Sequence, residues 1–188
     1  MTKTAKTTLT LTAVFLIVEA AILLALFHKG HPEYLWRAVP PLILTVYTII
    51  EIKYGFYMNT YARLVTMMAI VSDNFFGFYM NFYLTSFVFD KIQHVVGSYA
   101  FALFTYILVA QLAQSPMRKL FKFILVISIG LSVGVIYEIM EFCSDLISKT
   151  GTPSQVSLLD TNLDLVGNAV GSLLAAIHAA FYNLPDKH

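Results

Sequence analysis

The sequence predicts an all-α, polytopic transmembrane helical bundle of about six spans, and three observations carry that expectation. Of 188 residues, 58% are hydrophobic and 12% charged, about half the charged share of an ordinary soluble domain. Apolar runs recur along the chain at lengths near the ~20 residues that cross a bilayer. All six prolines avoid the interiors of those runs. Pro32, Pro116, Pro153 and Pro185 fall in connections, while Pro40 and Pro41 suit a first helical turn, where no amide donor is needed.

The first run covers residues 9–27. Lys3 and Lys6 before it imitate a secretory signal, but Glu19 interrupts it and it ends in Phe27-His28-Lys29 without a small-x-small cleavage pattern. A retained first span, in a chain starting at Met1, is therefore expected. The second run, 39–52, is short, and Tyr34 and Trp36 precede it as an aromatic interface anchor. The third, 64–80, carries Asp73 within it. Residues 92–113, 120–142 and 163–182 supply the remaining three. With both termini cytoplasmic, Lys3, Lys6, Lys53, Arg63, Arg118, Lys119, Lys122 and Lys187 lie inside, and Lys29, Arg37, Lys91 and Lys149 outside. That distribution obeys the positive-inside rule and suits a multi-pass protein of a bacterial or archaeal inner membrane. Residues 1–188 read as one transmembrane domain, without a linker or a low-complexity tract.

Several function classes are excluded. The net charge is +1 and no Lys/Arg run exists, so no nucleic-acid partner is expected and membrane lipids are the natural neighbours. Cys143 stands alone, which removes intramolecular disulfides and thiolate zinc sites. No P-loop, dinucleotide-binding glycine pattern, GxSxG elbow or HExxH is present. Oligomeric state is not readable.

The polar residues inside this apolar chain share one depth. Asp90 and His94 lie one turn apart at the outer start of the fourth span. Glu138 and Glu141, beside Tyr137, share a face near the outer end of the fifth. Asp160, Asp164 and Asn168, spaced by four, open the sixth. Gly130-x-x-x-Gly134 and Gly167-x-x-x-Gly171 give these helices small faces for close approach, which puts Glu138 within reach of Asp164. Ionised carboxylates at membrane depth cost several kcal/mol each unless a cation, a proton or water meets them. Carboxylates with one imidazole suit a hard or borderline divalent cation, Mg2+, Mn2+ or Ca2+. Protonated carboxyls, or a site open to outside water, are the alternatives.

Bland readings stand beside these. Asp90 with Gln93, and Thr161 with Asp164, have capping-box spacing, and Asp160 is placed to cap as well. Capping does not account for Glu138 and Glu141, because negative side chains near a helix C-terminus oppose its dipole. A lone buried histidine such as His94 is more often a packing residue than a ligand. Asp73 and Glu19 are intramembrane acids that can pair with Lys53, Arg63 or polar side chains of other helices, and Glu51 reads as an interface residue. The segment 148–157 reads as a connection or a lid over the outer site.

Three blocks in order, Phe89-Asp90-Lys91-Ile92-Gln93-His94-Val95-Val96-Gly97, Tyr137-Glu138-Ile139-Met140-Glu141 and Leu159-Asp160-Thr161-Asn162-Leu163-Asp164-Leu165-Val166-Gly167-Asn168 with Gly171, resemble the YjdF-type membrane proteins. More distantly they resemble the VanZ-like family, which shares a DK-x-x-H block, an acid in the next helix and a final D-x-x-x-D-x-x-x-N-x-x-G helix. The likeness covers roughly 73–176. It implies a place in the cell envelope and an outward-facing site. Glu141 and the longer loop before Asp160 depart from the VanZ pattern, so a drug-resistance role is not carried over.

Three functions follow as expectations. The first is an envelope enzyme hydrolysing a phosphate or ester bond of a lipid or lipid-linked headgroup. There His94, Glu138 and Glu141 are the candidate catalytic residues, and Asp90, Glu138 and Asp164 the candidate metal ligands. Asp73, Asp160, Asn168 and Tyr137 are further polar members. The second is a cation or proton transporter in which Glu19 and Asp73 continue the path inward. The third is a non-catalytic scaffold whose polar cluster locks the last three spans together.

Overall fold

The computed structural model describes residues 3–113, 116–147 and 154–182. Helices and short connections make up these residues, with no strand among them. α1 (Lys3–His28) is followed by a 3-10 turn (Pro32–Ala38) and α2 (Val39–Tyr54). Then come α3 (Thr60–Ser72), a π segment (Asp73–Tyr79) and the short α4 (Phe82–Thr85). α5 (Phe87–Leu112), α6 (Lys119–Ile147) and α7 (Leu158–Phe181) complete the chain.

Among the described residues, five stretches are long and apolar enough to cross a membrane: Ala5–His28, Tyr34–Tyr54, Phe87–Leu112, Lys119–Ile147 and Leu158–Phe181. This is an all-α helical membrane bundle, with one difference from the six expected spans. The third apolar run does not form a long α-helix. α3 has 13 residues and passes at Asp73 into the wider π turn, where polar Asp73 and Asn74 interrupt the apolar sequence. Pro40 and Pro41 lie in the first turn of α2, as their missing amides require. α2 stops at Gly55, whose φ of 74° is the left-handed cap glycine accepts most readily.

The chain divides into two compact units, Met1–Phe87 and Val88–His188. In the first, Thr12 on α1 hydrogen-bonds Thr48 on α2 (3.2 Å), and Arg63 on α3 donates to the same Thr48 hydroxyl (3.0 Å). Arg63 also pairs with Glu51, whose other oxygen accepts from the Met58 amide (3.0 Å). Glu51 is thus a buried ion-pair partner, contrary to the expected interface residue. The intervening chain turns back at Gly55, which brings α3 alongside α2.

The second unit is built from residues spaced by four. α6 buries a single ridge, Val126, Gly130, Gly134 and Glu138. α7 buries Asp160, Asp164, Asn168, Ser172, Ala176 and Ala180, and α5 buries His94, Ser98, Ala102 and Tyr106. Rows of i, i+4 side chains pack as ridges into grooves. The two glycine pairs serve different seams. A β-carbon at Gly130 or Gly134 would meet Ser172 or Asn168 of α7, whereas at Gly167 or Gly171 it would meet α5, at His94 and at the Val95 carbonyl. Gly171→Ala is therefore expected to destabilise the protein by about 1–3 kcal/mol through overpacking. Gly97→Ala, on α5 with nothing within 4 Å of the added carbon, should stabilise by about 0.5–1 kcal/mol through helix propensity. Thermal midpoints in detergent check the opposite signs.

Candidate functional site

The polar ends of the three ridges of the second unit meet. α5 begins at Phe87, three residues before Asp90, so Asp90 sits inside the first turn rather than capping it. α7 is capped by Ser157, whose hydroxyl accepts from the Asp160 amide at 3.1 Å. Asp160 occupies the reciprocal position of that capping box, its Oδ2 accepting from the Val156 amide at 3.4 Å. Its other oxygen is left for a cation, and Lys91 supplies one.

Lys91 Nζ stands among three carboxylates, 2.9 Å from Asp90, 2.5 Å from Asp160 and 2.6 Å from Asp164. An ammonium has three donor hydrogens, and here each has a carboxylate partner. The arrangement pins the start of α5 to the start of α7. His94 lies one turn further along α5, buried to 6% exposure. Its Nε2 is 3.5 Å from both Asp90 and Asp164, and its Nδ1 is 3.4 Å from Glu138 Oε1. The Tyr137 ring packs edge-on to the imidazole with centroids 5.5 Å apart. Asn168 Oδ1 accepts from the Ser98 hydroxyl at 2.7 Å and lies 3.3 Å from His94 Nδ1.

Glu138 and Glu141 form the other side of the site. Gln155 donates to both the main-chain oxygen of Glu138 (3.1 Å) and its Oε2 (3.3 Å), while the Asp145 carboxylate accepts from the Ser154 and Gln155 amides. Gln155 thereby tethers the segment before α7 to the end of α6. Residues 148–153 of the expected lid lie outside the described residues. Among the described residues, Glu138 Oε1 and Asn168 Nδ2 are buried without a hydrogen-bond partner. No lysine or arginine among them pairs with Glu138 or Glu141.

Among the described residues, two groups have ligand atoms within 4.8 Å of one another, Asp90 with His94 and Asp164, and His94 with Glu138 and Glu141. His94 belongs to both. When ionised, five carboxylates face one ammonium, an excess of four negative charges, or three with His94 charged. The donor set is of the kind that could hold a hard divalent cation, and Glu138 Oε1 is its oxygen without a hydrogen-bond donor. On the Asp90 and Asp164 side the Lys91 ammonium already occupies the place between the carboxylates.

The structure thus gathers Asp90, His94, Tyr137, Glu138, Glu141, Asp160, Asp164 and Asn168 through direct contacts and shared partners. Asp73 lies in the first unit. It pairs with Arg37 at 2.9 Å and accepts from the Tyr83 hydroxyl at 2.5 Å, rather than from Lys53 or Arg63.

Over residues 10–184 the chain matches the family described as "Predicted membrane protein (DUF2238)". The chain belongs to this family. It is also 31% identical, over 113 residues, to a Thermotoga maritima protein described as "Uncharacterized protein". That match covers 58% of this chain and 56% of the relative, so the chain spans just over half of the relative's length. No solved structure matches. The family description supports a membrane protein and carries neither the YjdF nor the VanZ-like name.

In this DUF2238 protein three participants escaped the sequence reading. Lys91 counted only as an outer positive charge, although the Asp160/Asp164 pair at i, i+4 marks a place for an ammonium. Ser98 follows His94 by one turn, a spacing that would have found it. Gln155 had no signal, because the loop that carries it has no period.

Proposed function

We propose that this protein binds a divalent cation at the outer end of α5, α6 and α7 and hydrolyses a phosphate or ester bond of a lipid or lipid-linked headgroup there. The single observation that carries the reading is the triad His94, Glu138 and Glu141, which has converging donor atoms and no lysine or arginine partner on either glutamate among the described residues. Glu138, Glu141 and His94 Nδ1 would hold the cation, which supplies positive charge for a phosphate oxygen. Asp90 and Asp164 face Nε2 and orient the ring, the arrangement by which a carboxylate raises the basicity of a ligating histidine. This moves the ligand set away from Asp90 and Asp164, because a second cation between them would meet the Lys91 ammonium. The carboxylate oxygen of Glu141 not given to the cation, on a partly exposed side chain, would take a proton from water.

The orientation rests on charge. Arg118, Lys119 and Lys122 cluster where α5 passes to α6, which favours a cytoplasmic position for that end and an external one for the site. With residues 60–79 counted as a crossing, both termini are cytoplasmic in a multi-pass inner-membrane protein. The YjdF-type and VanZ-like likeness of the three blocks supports a role in the cell envelope. Membrane lipids are the partners and nucleic acid is not.

The test is a screen of vesicle-reconstituted protein against phospholipids and polyprenyl phosphates, with Mg2+, Mn2+ or Ca2+ and with chelator. The expected result is cation-dependent release of phosphate or headgroup that His94→Ala abolishes. Metal-loaded protein inert towards every such lipid would overturn the hydrolase reading.

A further inference from the structure

A separate polar site lies in the first unit and uses none of the residues above. Glu19 on α1 and Asn74 in the π segment are each only 1% exposed. Asn74 Nδ2 donates to Glu19 Oε2 at 2.7 Å. Two acceptors remain, Glu19 Oε1 and Asn74 Oδ1, and among the described residues both are buried without a donor. No lysine or arginine among those residues pairs with Glu19, and Arg37 pairs with Asp73. A carboxylate at this depth with one amide donor is several kcal/mol uphill of a neutralised one.

The local fold holds the pair in place. The π turn closes through Met80 N to Phe75 O at 2.8 Å, and π segments are frequent at functional sites. The Tyr83 ring fills the space that a β-carbon at Gly77 would take, and its hydroxyl reaches Asp73 at 2.5 Å. Asp73 is thereby held by Arg37 and Tyr83, which leaves Glu19 as the uncompensated charge.

We propose that Glu19 and Asn74 form a binding site for a small monovalent cation, Na+ or K+, at the α1–π segment contact. The donor set is all oxygen, which selects a hard ion. One carboxylate balances one positive charge, whereas a divalent ion would leave an excess charge in an apolar interior. The cation would take the lone pairs of Glu19 Oε1 and Asn74 Oδ1 that no donor meets.

The experiment compares thermal midpoints of the full chain in detergent with EDTA, titrating NaCl, KCl or choline chloride at constant ionic strength. The expected result is a midpoint that rises and saturates with Na+ or K+ but not with choline, the more effective ion naming the ligand. Glu19→Gln should remove the dependence. An equal midpoint in all three salts, or a dependence that survives in Glu19→Gln, overturns the site. Should that variant fail to fold, infrared spectra of the wild type decide. A protonated-carboxyl band lost on replacing choline by the effective cation supports the proposal. A band identical in all salts assigns a proton to Glu19 and overturns it.

Discussion

Lys91→Met is expected to destabilise the protein by on the order of 3–5 kcal/mol, the cost of removing one partner from a buried ion pair. The lysine side chain is 17% exposed, and Asp160 and Asp164 are at 10% and 4%. Without the ammonium, those two carboxylates and Asp90 face one another with His94 as the one remaining basic group among them. Helix α5 loses its charged tie to α7. The thermal midpoint in detergent should fall steeply, and Lys91→Arg, which keeps the charge but not the compact geometry, should fall between the two. A midpoint within a degree or two of wild type for Lys91→Met would show that the trio is solvated and that the lysine does not lock the helices.

Arg63→Met should cost a comparable amount, again on the order of 3–5 kcal/mol. Arg63 is 1% exposed and reaches both Glu51 and Thr48. Its removal strands the Glu51 carboxylate, 8% exposed, with the Met58 amide as its remaining hydrogen-bond donor among the described residues. Double replacement with Glu51→Leu should recover much of the loss, because two apolar side chains leave no buried charge behind. If the double variant is no more stable than Arg63→Met, the pair is not the source of the effect. With Glu51→Leu measured alone as well, the comparison is a double-mutant cycle on one contact.

That the polar residues of the second unit meet was legible in the sequence, because a single period governs them. Asp90 and His94 are spaced by four, as are Asp160, Asp164 and Asn168, and each set sits at the end of an apolar run. Once helices are drawn through those runs, alternating chain direction brings the start of α5, the end of α6 and the start of α7 together. The role of Lys91 was not legible, since a long flexible side chain has no fixed direction that periodicity reveals. The break in the third run was not legible for a related reason. Hydropathy counts Phe75, Phe76 and Phe78 as span residues, yet the helix leaves α geometry at Asp73. The Glu51–Arg63 and Glu19–Asn74 contacts join residues 12 and 55 positions apart, and no local spacing rule reports such pairs.

The cation at His94, Glu138 and Glu141 is the central claim, and elemental mass spectrometry of detergent-purified protein tests it most directly. Wild type, Glu138→Gln and Glu141→Gln are purified at matched folding with divalent ions supplied, alongside Glu19→Gln as the control in the other unit. Near-stoichiometric metal in wild type and Glu19→Gln, lost in both glutamate variants, is the predicted result. Metal-free wild type under those conditions, or metal retained in both glutamate variants, would contradict the account.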